Sequence, residues 1–276
     1  MTAVLLALGA SLSWGVADFV GPVKGRTLGP LRVLIYAQAA GLAVIALLVA
    51  LSGHGWPGMR VLLAIPAALS GTLGLYAYYR GMVVGAISIV APVAGASAVI
   101  PVGIGIASGD RPSAPQLGGI ALALVGVALA SREPGETERR LAAGVGLALV
   151  AAIGFGFYFP PMHIAGEADP WWASLLFRST STVVIGLAVL ARRPPLALRP
   201  LDVAIVAAVG VGDMLGNLFF AASSGHGLVS VTAVLASLYP VVTIALARAV
   251  LTERVAPSQQ LGIALTLAGV ALISVG

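Results

Sequence analysis

The segment GIALALVGVALAS at residues 119–131 recurs almost unchanged as GIALTLAGVALIS at residues 262–274. The two copies agree at ten of thirteen positions and lie 143 residues apart in a chain of 276 residues. Duplication at about half the chain length, in a strongly apolar sequence, is typical of membrane transporters built from similar halves. The sequence therefore predicts a membrane protein made of paired halves.

The composition excludes a water-soluble protein. Hydrophobic residues make up 59% of the chain and charged residues 9%, whereas soluble domains average roughly 45–50% and 25%. A lipid bilayer is therefore the expected solvent. The fifteen Lys and Arg residues are scattered between apolar runs, which argues against a nucleic-acid partner. The chain has no cysteine, so disulfides and thiolate metal sites are excluded, and we expect neither metal nor cofactor.

A membrane-spanning helix needs about 20 mainly apolar residues, and the chain divides into ten such runs. They lie near residues 2–22, 31–51, 61–82, 85–108, 114–131, 141–161, 171–191, 202–224, 227–250 and 257–275. The first run has no basic leader before it, so we expect it to be retained as a helix. The sizeable hydrophilic segment at residues 131–140 falls at the midpoint and predicts a linker between the halves.

The duplication extends beyond the opening match, since Leu73-Gly74 recurs as Leu215-Gly216 after 142 residues. Each half holds five predicted spans, and because five is odd the second half must enter the membrane from the opposite side. The predicted fold is an all-α integral membrane protein with ten transmembrane helices in two inverted five-helix repeats. We place the first repeat at residues 1–131, a polar linker at 132–140 and the second repeat at 141–276.

Glycine and proline predict different roles for different spans. The fifth and tenth spans are rich in small residues, which let membrane helices approach closely, so we expect these two to pack tightly and not to line a cavity. Pro92 and Pro101 in the fourth span, and Pro240 in the ninth, remove backbone hydrogen bonds at corresponding places in the halves. Paired interruptions of this kind indicate a substrate pathway.

Three ionisable residues stand out inside the predicted spans: Asp18, Arg178 and Asp213. Such groups cost roughly 2.5–3.5 kcal/mol each in a membrane, so they usually face a cavity or a partner. Asp18 and Asp213 are candidates for binding a cationic group or a coupling proton. The alternative interpretation is a buried ion pair that only joins helices. Arg178 and Asp213 differ in predicted depth by ~6 Å, which an arginine side chain can span.

Aromatic and amide side chains complete the candidate substrate-binding set, because they suit amphipathic molecules and cations. These candidates are Trp14, Tyr76, Tyr79, Tyr158, Asn217 and Tyr239. Aromatic and basic residues near span ends are more often anchors in the interface or to lipid headgroups. That interpretation is preferred for Trp56, Trp171, Trp172, Lys24 and Arg80.

One motif suggests a different class of function. Residues 210–213 (GVGD) match the GxGD signature of intramembrane aspartyl proteases, which need a second Asp to share a proton. Asp18 is the other Asp within a predicted span, and its predicted depth differs from that of Asp213 by ~11 Å. Hydrolysis through Asp213 stays as an alternative, as does a membrane scaffold that transports nothing. We assign no catalytic residue and do not expect an enzyme.

The sequence resembles the drug/metabolite transporter superfamily and, within it, the ten-helix EamA type with two EamA repeats. The resemblance is carried by Trp14-Gly15 with Lys24, by the run at residues 78–81 (YYRG), by Pro240-Val241 leading to residues 252–254 (TER), and by the closing segment 262–274. It covers nearly the whole chain. In the first half Gln38 stands nearest the place where the family often has an arginine, which Arg178 supplies in the second.

The resemblance implies a secondary transporter that moves a small metabolite, amino acid or drug by alternating access. No GxxxxGK[ST] loop occurs, so active transport would draw on an ion gradient or exchange. A proton is the favoured coupling ion, and facilitated diffusion is the alternative. We expect a monomeric exporter in the cell membrane, with the lipid bilayer and a small-molecule metabolite as its partners.

The two guides to orientation disagree. Twelve Lys and Arg residues lie on the side of the turns that follow odd-numbered spans, and two, Arg60 and Arg111, lie on the side of the termini. The positive-inside rule then places both termini outside. The family resemblance implies termini in the cytoplasm.

Overall fold

The computed structural model describes residues 2–107, 113–130, 138–226, 229–251 and 257–275, and every regular element in these ranges is a helix. The first half contains α1 (Thr2–Leu28), α2 (Pro30–Ser52), α3 (Ala64–Val84), α4 (Ile87–Gly95), α5 (Val99–Ala107) and α6 (Ala114–Ala130). The second half contains α7 (Glu138–Ala168), α8 (Pro170–Arg192), α9 (Pro200–Ser224), α10 (Val229–Ala236), α11 (Tyr239–Leu251) and α12 (Pro257–Val275). Short 3-10 segments precede α3 at Met59–Leu63 and join α4 to α5 at Ala96–Ala98.

Seven helical stretches in the described ranges are long and apolar enough to cross a membrane. Three shorter apolar helices accompany them, in the α4–α5 region, in α6 and in α12. The predicted all-helical class is therefore confirmed.

Proline and glycine set several helix boundaries. Pro30 and Pro170 open α2 and α8, at positions where a missing N–H breaks no intrahelical hydrogen bond. Asp169 caps α8, since its carboxylate accepts hydrogen bonds from two backbone N–H groups of the first turn at 2.8 and 2.9 Å. The turn between α1 and α2 passes through Gly29, whose φ of 88° favours glycine.

The first helix of each half is longer than the sequence predicts. The predicted ends at residues 22 and 161 are wrong, because α1 continues to Leu28 and α7 to Ala168, with Pro22, Pro160 and Pro161 inside them. Prolines are tolerated inside membrane helices, where neighbouring groups satisfy the freed backbone carbonyls. The extension moves Asp18 from four to ten residues from the end of its helix, well into the membrane.

The first helix of the second half begins three residues before the predicted second repeat. Residues 138–140, predicted as linker, form the first turn of α7. The rest of the predicted linker, residues 132–137, lies outside the described residues.

The second helix of the first half, α2, and the second helix of the second half, α8, run in opposite directions. His54, just after α2, contacts the Asp169 carboxylate at the start of α8 at 2.8 Å, while Gln38 in the middle of α2 contacts Arg178 in the middle of α8. These two contacts make α2 and α8 antiparallel. In addition, α1 packs on α9 and α3 packs on α7, two pairings that exchange when the halves are exchanged.

The predicted interruptions of the fourth and ninth spans are present. The fourth is divided by the 3-10 turn at Ala96–Ala98, and the ninth is divided between α10 and α11. The two breaks touch each other, because a methyl group built on Gly95 would lie 2.6 Å from Cγ of Pro240. The interrupted elements of the two halves therefore meet inside the protein.

The fifth and tenth spans behave as expected. They correspond to α6 and α12, which pack against each other along their length. A methyl group on Gly126 would lie 2.7 Å from the carbonyl oxygen of Gly262, so the contact depends on small residues. None of their described residues lines the central cavity, which agrees with the expected packing role.

Candidate functional site

A cavity lies between the two halves, and described residues of seven helices line it. The helices are α1, α2 and α3 from the first half and α7, α8, α9 and α11 from the second. Its polar lining residues are Asp18, Gln38, Thr72, Ser181, Asp213 and Asn217. Its aromatic lining residues are Trp14, Phe155, Tyr158, Phe159, Phe177 and Tyr239. This combination of an apolar wall and a few convergent polar groups is typical of small-molecule sites.

A charged pair crosses the cavity wall between α8 and α9. Arg178 Nη1 lies 2.7 Å from Asp213 Oδ2 and donates a second hydrogen bond of 2.7 Å to Gln38 Oε1. The arginine side chain is only 1% exposed, and that of Asp213 is 14% exposed. The predicted partnership of Arg178 with Asp213 is thus seen, and Arg178 neutralises the carboxylate that it meets.

Asp18 has a different environment. It is 5% exposed and lines the same cavity, yet within the described residues no hydrogen bond or ion pair is formed by its carboxyl group. Gly212, next to Asp213, lies level with Ala17, since a methyl group on the glycine would lie 3.8 Å from Cβ of Ala17. The predicted depth difference between the two acids is therefore wrong, because α1 is longer than expected.

A tyrosine and an asparagine are hydrogen-bonded to each other in the wall of the cavity. Tyr158 donates a 3.0 Å hydrogen bond to Asn217 Oδ1, and the Asn217 amide donates at 2.8 Å to the backbone carbonyl of Asp213. These bonds fix Asn217 beside the ion pair. The Tyr239 hydroxyl is buried and has no partner among the described residues.

Six of the eight predicted substrate-binding residues line the cavity: Trp14, Asp18, Tyr158, Asp213, Asn217 and Tyr239. The other two do not. Tyr79 is buried against α1, where a methyl group on Gly21 would lie 2.7 Å from its Cζ atom. Tyr76 lines a separate pocket near the end of α3. Neither residue lines the cavity, because its side chain points to another part of the protein. The sequence alone left the direction of these side chains open.

Other lining residues were not among the sequence candidates. Thr72 donates a 2.7 Å hydrogen bond to Ser181 across the α3–α8 contact, and Phe177 forms part of the aromatic wall. Gln38 could have been found, since it lies eight residues after Pro30, as Arg178 lies eight residues after Pro170. Thr72 and Ser181 carry no such signal, because isolated hydroxyl residues are common in membrane helices.

The cavity is symmetric in position and asymmetric in chemistry. At the repeat spacing of 142 residues, Asp213 corresponds to Gly71 and Asn217 to Leu75, and all four line the cavity. The second half thus supplies the acid and the amide where the first supplies a glycine and a leucine. A bound molecule would therefore meet different chemistry on the two sides.

At each end of the protein an ion pair joins a helix of one half to a helix of the other half, and the two pairs of helices correspond to each other. We call the end formed by the α1–α2 turn, the end of α3 and the α8–α9 segment the basic face, and the opposite end the terminal face. At the basic face Lys24 of α1 lies 2.7 Å from Asp202 of α9. At the terminal face Arg60, in the segment before α3, lies 2.9 Å from Glu167 of α7. Lys24 was expected to anchor lipid headgroups, but it pairs with Asp202.

Comparison with known proteins identifies the family. The model of the EamA-like transporter family matches residues 1–132 and matches again over residues 142–275. The chain belongs to the EamA-like transporter family. It is accordingly a multi-pass integral membrane protein and a transporter of the drug/metabolite type, built from two EamA repeats. The predicted family is thereby confirmed.

Comparison with solved structures and curated proteins adds the fold only. One solved structure, titled "Crystal structure of protein", is 16% identical and has a TM-score of 0.69 over 99% of this chain and 96% of that chain. This similarity shows a shared fold and carries no information on substrate. No curated protein matches the chain significantly.

Proposed function

We propose that this EamA protein is a secondary transporter that moves a small metabolite, amino acid or drug across the cell membrane by alternating access, in the direction of export. The molecule would bind in the central cavity between the repeats. We further propose ten membrane crossings in two inverted repeats, with the interrupted α4–α5 and α10–α11 regions each counted as one crossing. The antiparallel course of α2 and α8 supports this arrangement.

The observation that carries the proposal is the unequal state of the two acids in the cavity. Asp213 is neutralised by Arg178 at 2.7 Å, whereas Asp18 is 5% exposed and has no counter-charge among the described residues. An unpaired carboxylate in a membrane interior is costly. Asp18 is therefore suited to hold a proton in one step of transport and to meet an amine or another cationic group in the next.

The ion pairs at the two faces support alternating access. Lys24 with Asp202 ties α1 to α9 at the basic face, and Arg60 with Glu167 ties α7 to the start of α3 at the terminal face. The two contacts are equivalent, because exchanging the halves converts α1 with α9 into α7 with α3. In an inverted repeat, opening to one side requires one of these contacts to part while the other stays closed.

The alternative of hydrolysis by Asp213 is disfavoured by its surroundings. An aspartyl dyad needs two carboxyl groups that share one proton. Asp213 and Asp18 line one cavity, but the Asp213 carboxylate forms its ion pair with the Arg178 guanidinium, at 2.7 Å, and not with Asp18. We therefore propose no catalytic role for either acid.

A ligand screen followed by a transport assay tests the proposal. Purified monomeric protein would be heated with amino acids, spermidine, sugars and tetraphenylphosphonium, and Tm would be recorded by tryptophan fluorescence. We expect at least one compound to raise the Tm of the wild type and of Arg192→Gln, a control that removes an exposed charge outside the cavity, but not that of Asp18→Asn. The same compound should exchange across proteoliposomes carrying wild type and not across those carrying Asp18→Asn.

Two results would contradict the proposal. If no compound changes Tm or crosses the proteoliposome membrane, the scaffold interpretation is preferred. If a compound binds and exchanges equally well with Asp18→Asn, the cavity is used without Asp18. Proton coupling is checked by adding a pH-sensitive dye inside the vesicles. During transport by the wild type, the dye should report that the vesicle interior becomes steadily more acidic or steadily more alkaline.

A further inference from the structure

A second pocket lies at the basic face and belongs to no function assigned above. It lies between the α1–α2 turn, the last turns of α3 and the start of the α8–α9 segment. Its lining includes Arg32, Tyr76, Arg80 and the pair Pro194-Pro195, and no carboxylate lines it among the described residues. Two guanidinium groups thus face one pocket without an opposite charge.

The two arginines retain unused donors. The Arg80 side chain is exposed and has neither a hydrogen bond nor an ion pair within the described residues. Arg32 is half-buried, and its guanidinium already donates to the carbonyls of Leu28 and Ala197, while its buried Nε has no partner among the described residues. Guanidinium groups with free N–H donors match carboxylate and phosphate oxygens in charge and geometry.

The pocket lies on the same helix faces as the central cavity. Along α3, Thr72 lines the central cavity and Tyr76 and Arg80 line the pocket; a spacing of four residues keeps all three on one face. On α2, Gln38 lines the cavity and Leu31, seven residues away, lines the pocket. Eight residues of helix separate Thr72 from Arg80, a rise of ~12 Å. The pocket therefore lies at the basic face, on the helix faces that also line the cavity.

Hydrogen bonds from α2 hold the α8–α9 segment beside this pocket. Tyr36 donates a 2.9 Å hydrogen bond to the carbonyl of Leu196, and the Arg32 guanidinium donates to the carbonyl of Ala197. Arg32 thus both lines the pocket and holds the segment. An anion that pairs with Arg32 would compete with the Ala197 carbonyl and would loosen the segment.

We propose that Arg32 and Arg80 form an oxyanion site at the basic-face entrance of the transport path, which receives a carboxylate or phosphate group of the transported molecule. Occupation of the site frees the α8–α9 segment. The place of the site on the transport path rests on the proposed function, whereas anion binding itself does not. The sequence interpretation of Arg80 as a headgroup anchor names a competing source of the same chemistry, the phosphate of an anionic lipid.

Anion binding is tested by thermal unfolding of the full chain in phosphatidylcholine nanodiscs. The probes are inorganic phosphate and acetate, at an ionic strength held constant with chloride. We expect both anions to raise the Tm of the wild type and of Arg192→Gln, an exposed arginine of the same face outside the pocket. The rise should be at least halved in Arg80→Gln, which removes no hydrogen bond of the resting structure. An equal rise in Arg80→Gln would overturn the proposal.

Two further arms separate the sources of the anion and test the effect on the segment. In nanodiscs containing phosphatidylglycerol, stabilisation that depends on Arg80, without any response to phosphate or acetate, would overturn the assignment to the transport path. Because the chain has no cysteine, Ala197→Cys provides a single labelling site. Phosphate should accelerate its reaction with a maleimide, and an unchanged rate would overturn the release of the segment. These results do not depend on transport, so failure of this proposal and failure of the proposed function are distinguishable.

Discussion

Gln38 and Arg178 occupy equivalent positions in the two repeats and are hydrogen-bonded to each other at 2.7 Å, across a separation of 140 residues in sequence. Each lies eight residues after the proline that opens its helix. Because the equivalent positions meet, a second arginine in place of Gln38 would bring two guanidinium groups together in a buried site. The departure from the family pattern at Gln38 therefore has a physical reason: one position donates and the other accepts.

The first prediction concerns that pairing. Replacing Gln38→Arg should strongly lower Tm, since two buried like charges cannot both be satisfied by Asp213. Gln38→Met, which removes one hydrogen bond and keeps the volume similar, should cost about 1–3 kcal/mol. Thermal unfolding of the two variants in one detergent would decide it. A Gln38→Arg protein as stable as Gln38→Met would show that the positions are not in contact.

A second prediction concerns the ion pair of Arg178 with Asp213. Asp213→Asn leaves a buried guanidinium without its counter-charge, so we expect a loss of about 3 kcal/mol in unfolding free energy and loss of transport. The double variant Arg178→Met with Asp213→Leu removes both charges and should recover most of the stability but not the transport. Chemical unfolding and proteoliposome exchange measure the two effects. If the double variant is less stable than Asp213→Asn, the attraction between the two charges stabilises the protein by more than their desolvation costs.

The ion pairs at the two faces give a third prediction, measured by labelling. Ser181→Cys places one thiol in the central cavity of a cysteine-free chain. Adding Lys24→Ala should increase labelling by an impermeant maleimide from the basic face, because the α1–α9 contact is weakened. Adding Arg60→Ala should increase labelling from the terminal face. Identical labelling from both faces in all three proteins would contradict a gating role for the pairs.

The fourth prediction tests close packing between the repeats at α3 and α7. A methyl group on Gly154 would lie 2.7 Å from Cα of Gly74 and 2.7 Å from the carbonyl oxygen of Ser70, so Gly154→Ala must push the helices apart. We expect a fall in Tm of several degrees. On the same helix, Gly146 has nothing within 4 Å of such a methyl group. Gly146→Ala should leave Tm unchanged or raise it, since alanine is favoured over glycine in helices by up to about 1 kcal/mol. Equal effects would show that α7 does not approach α3 closely.

The approximate positions of the helices were predictable because a membrane imposes simple lengths and an apolar composition. The interruptions near Pro92 and Pro240 and the structural role of α6 and α12 were also predictable, since proline and small residues have direct effects on backbone bonding and approach. Helix ends were less so. Pro22 suggested an end that the helix does not have, because neighbouring helices support a proline that would terminate a helix in water.

The candidate site was only partly predictable. Charge inside a span was a strong signal, and both Asp18 and Asp213 line the cavity. Aromatic residues were a weaker signal. Tyr76 and Tyr79 lie close in sequence to Leu75, which lines the cavity, yet their own side chains lie against other parts of the protein. Direction around a helix depends on which face the partner helix covers, and that is a tertiary property.

By itself the sequence determined the environment, the duplication, the family and the presence of costly charges in the membrane, because all of these follow from composition and spacing. The tertiary structure alone decided which acid is neutralised. The course of α1 beyond Pro22 brings Asp18 level with Asp213, and the approach of α8 gives Arg178 to Asp213 only. Among the described residues Asp18 has no ion pair, so Asp18 is the acid without a counter-charge.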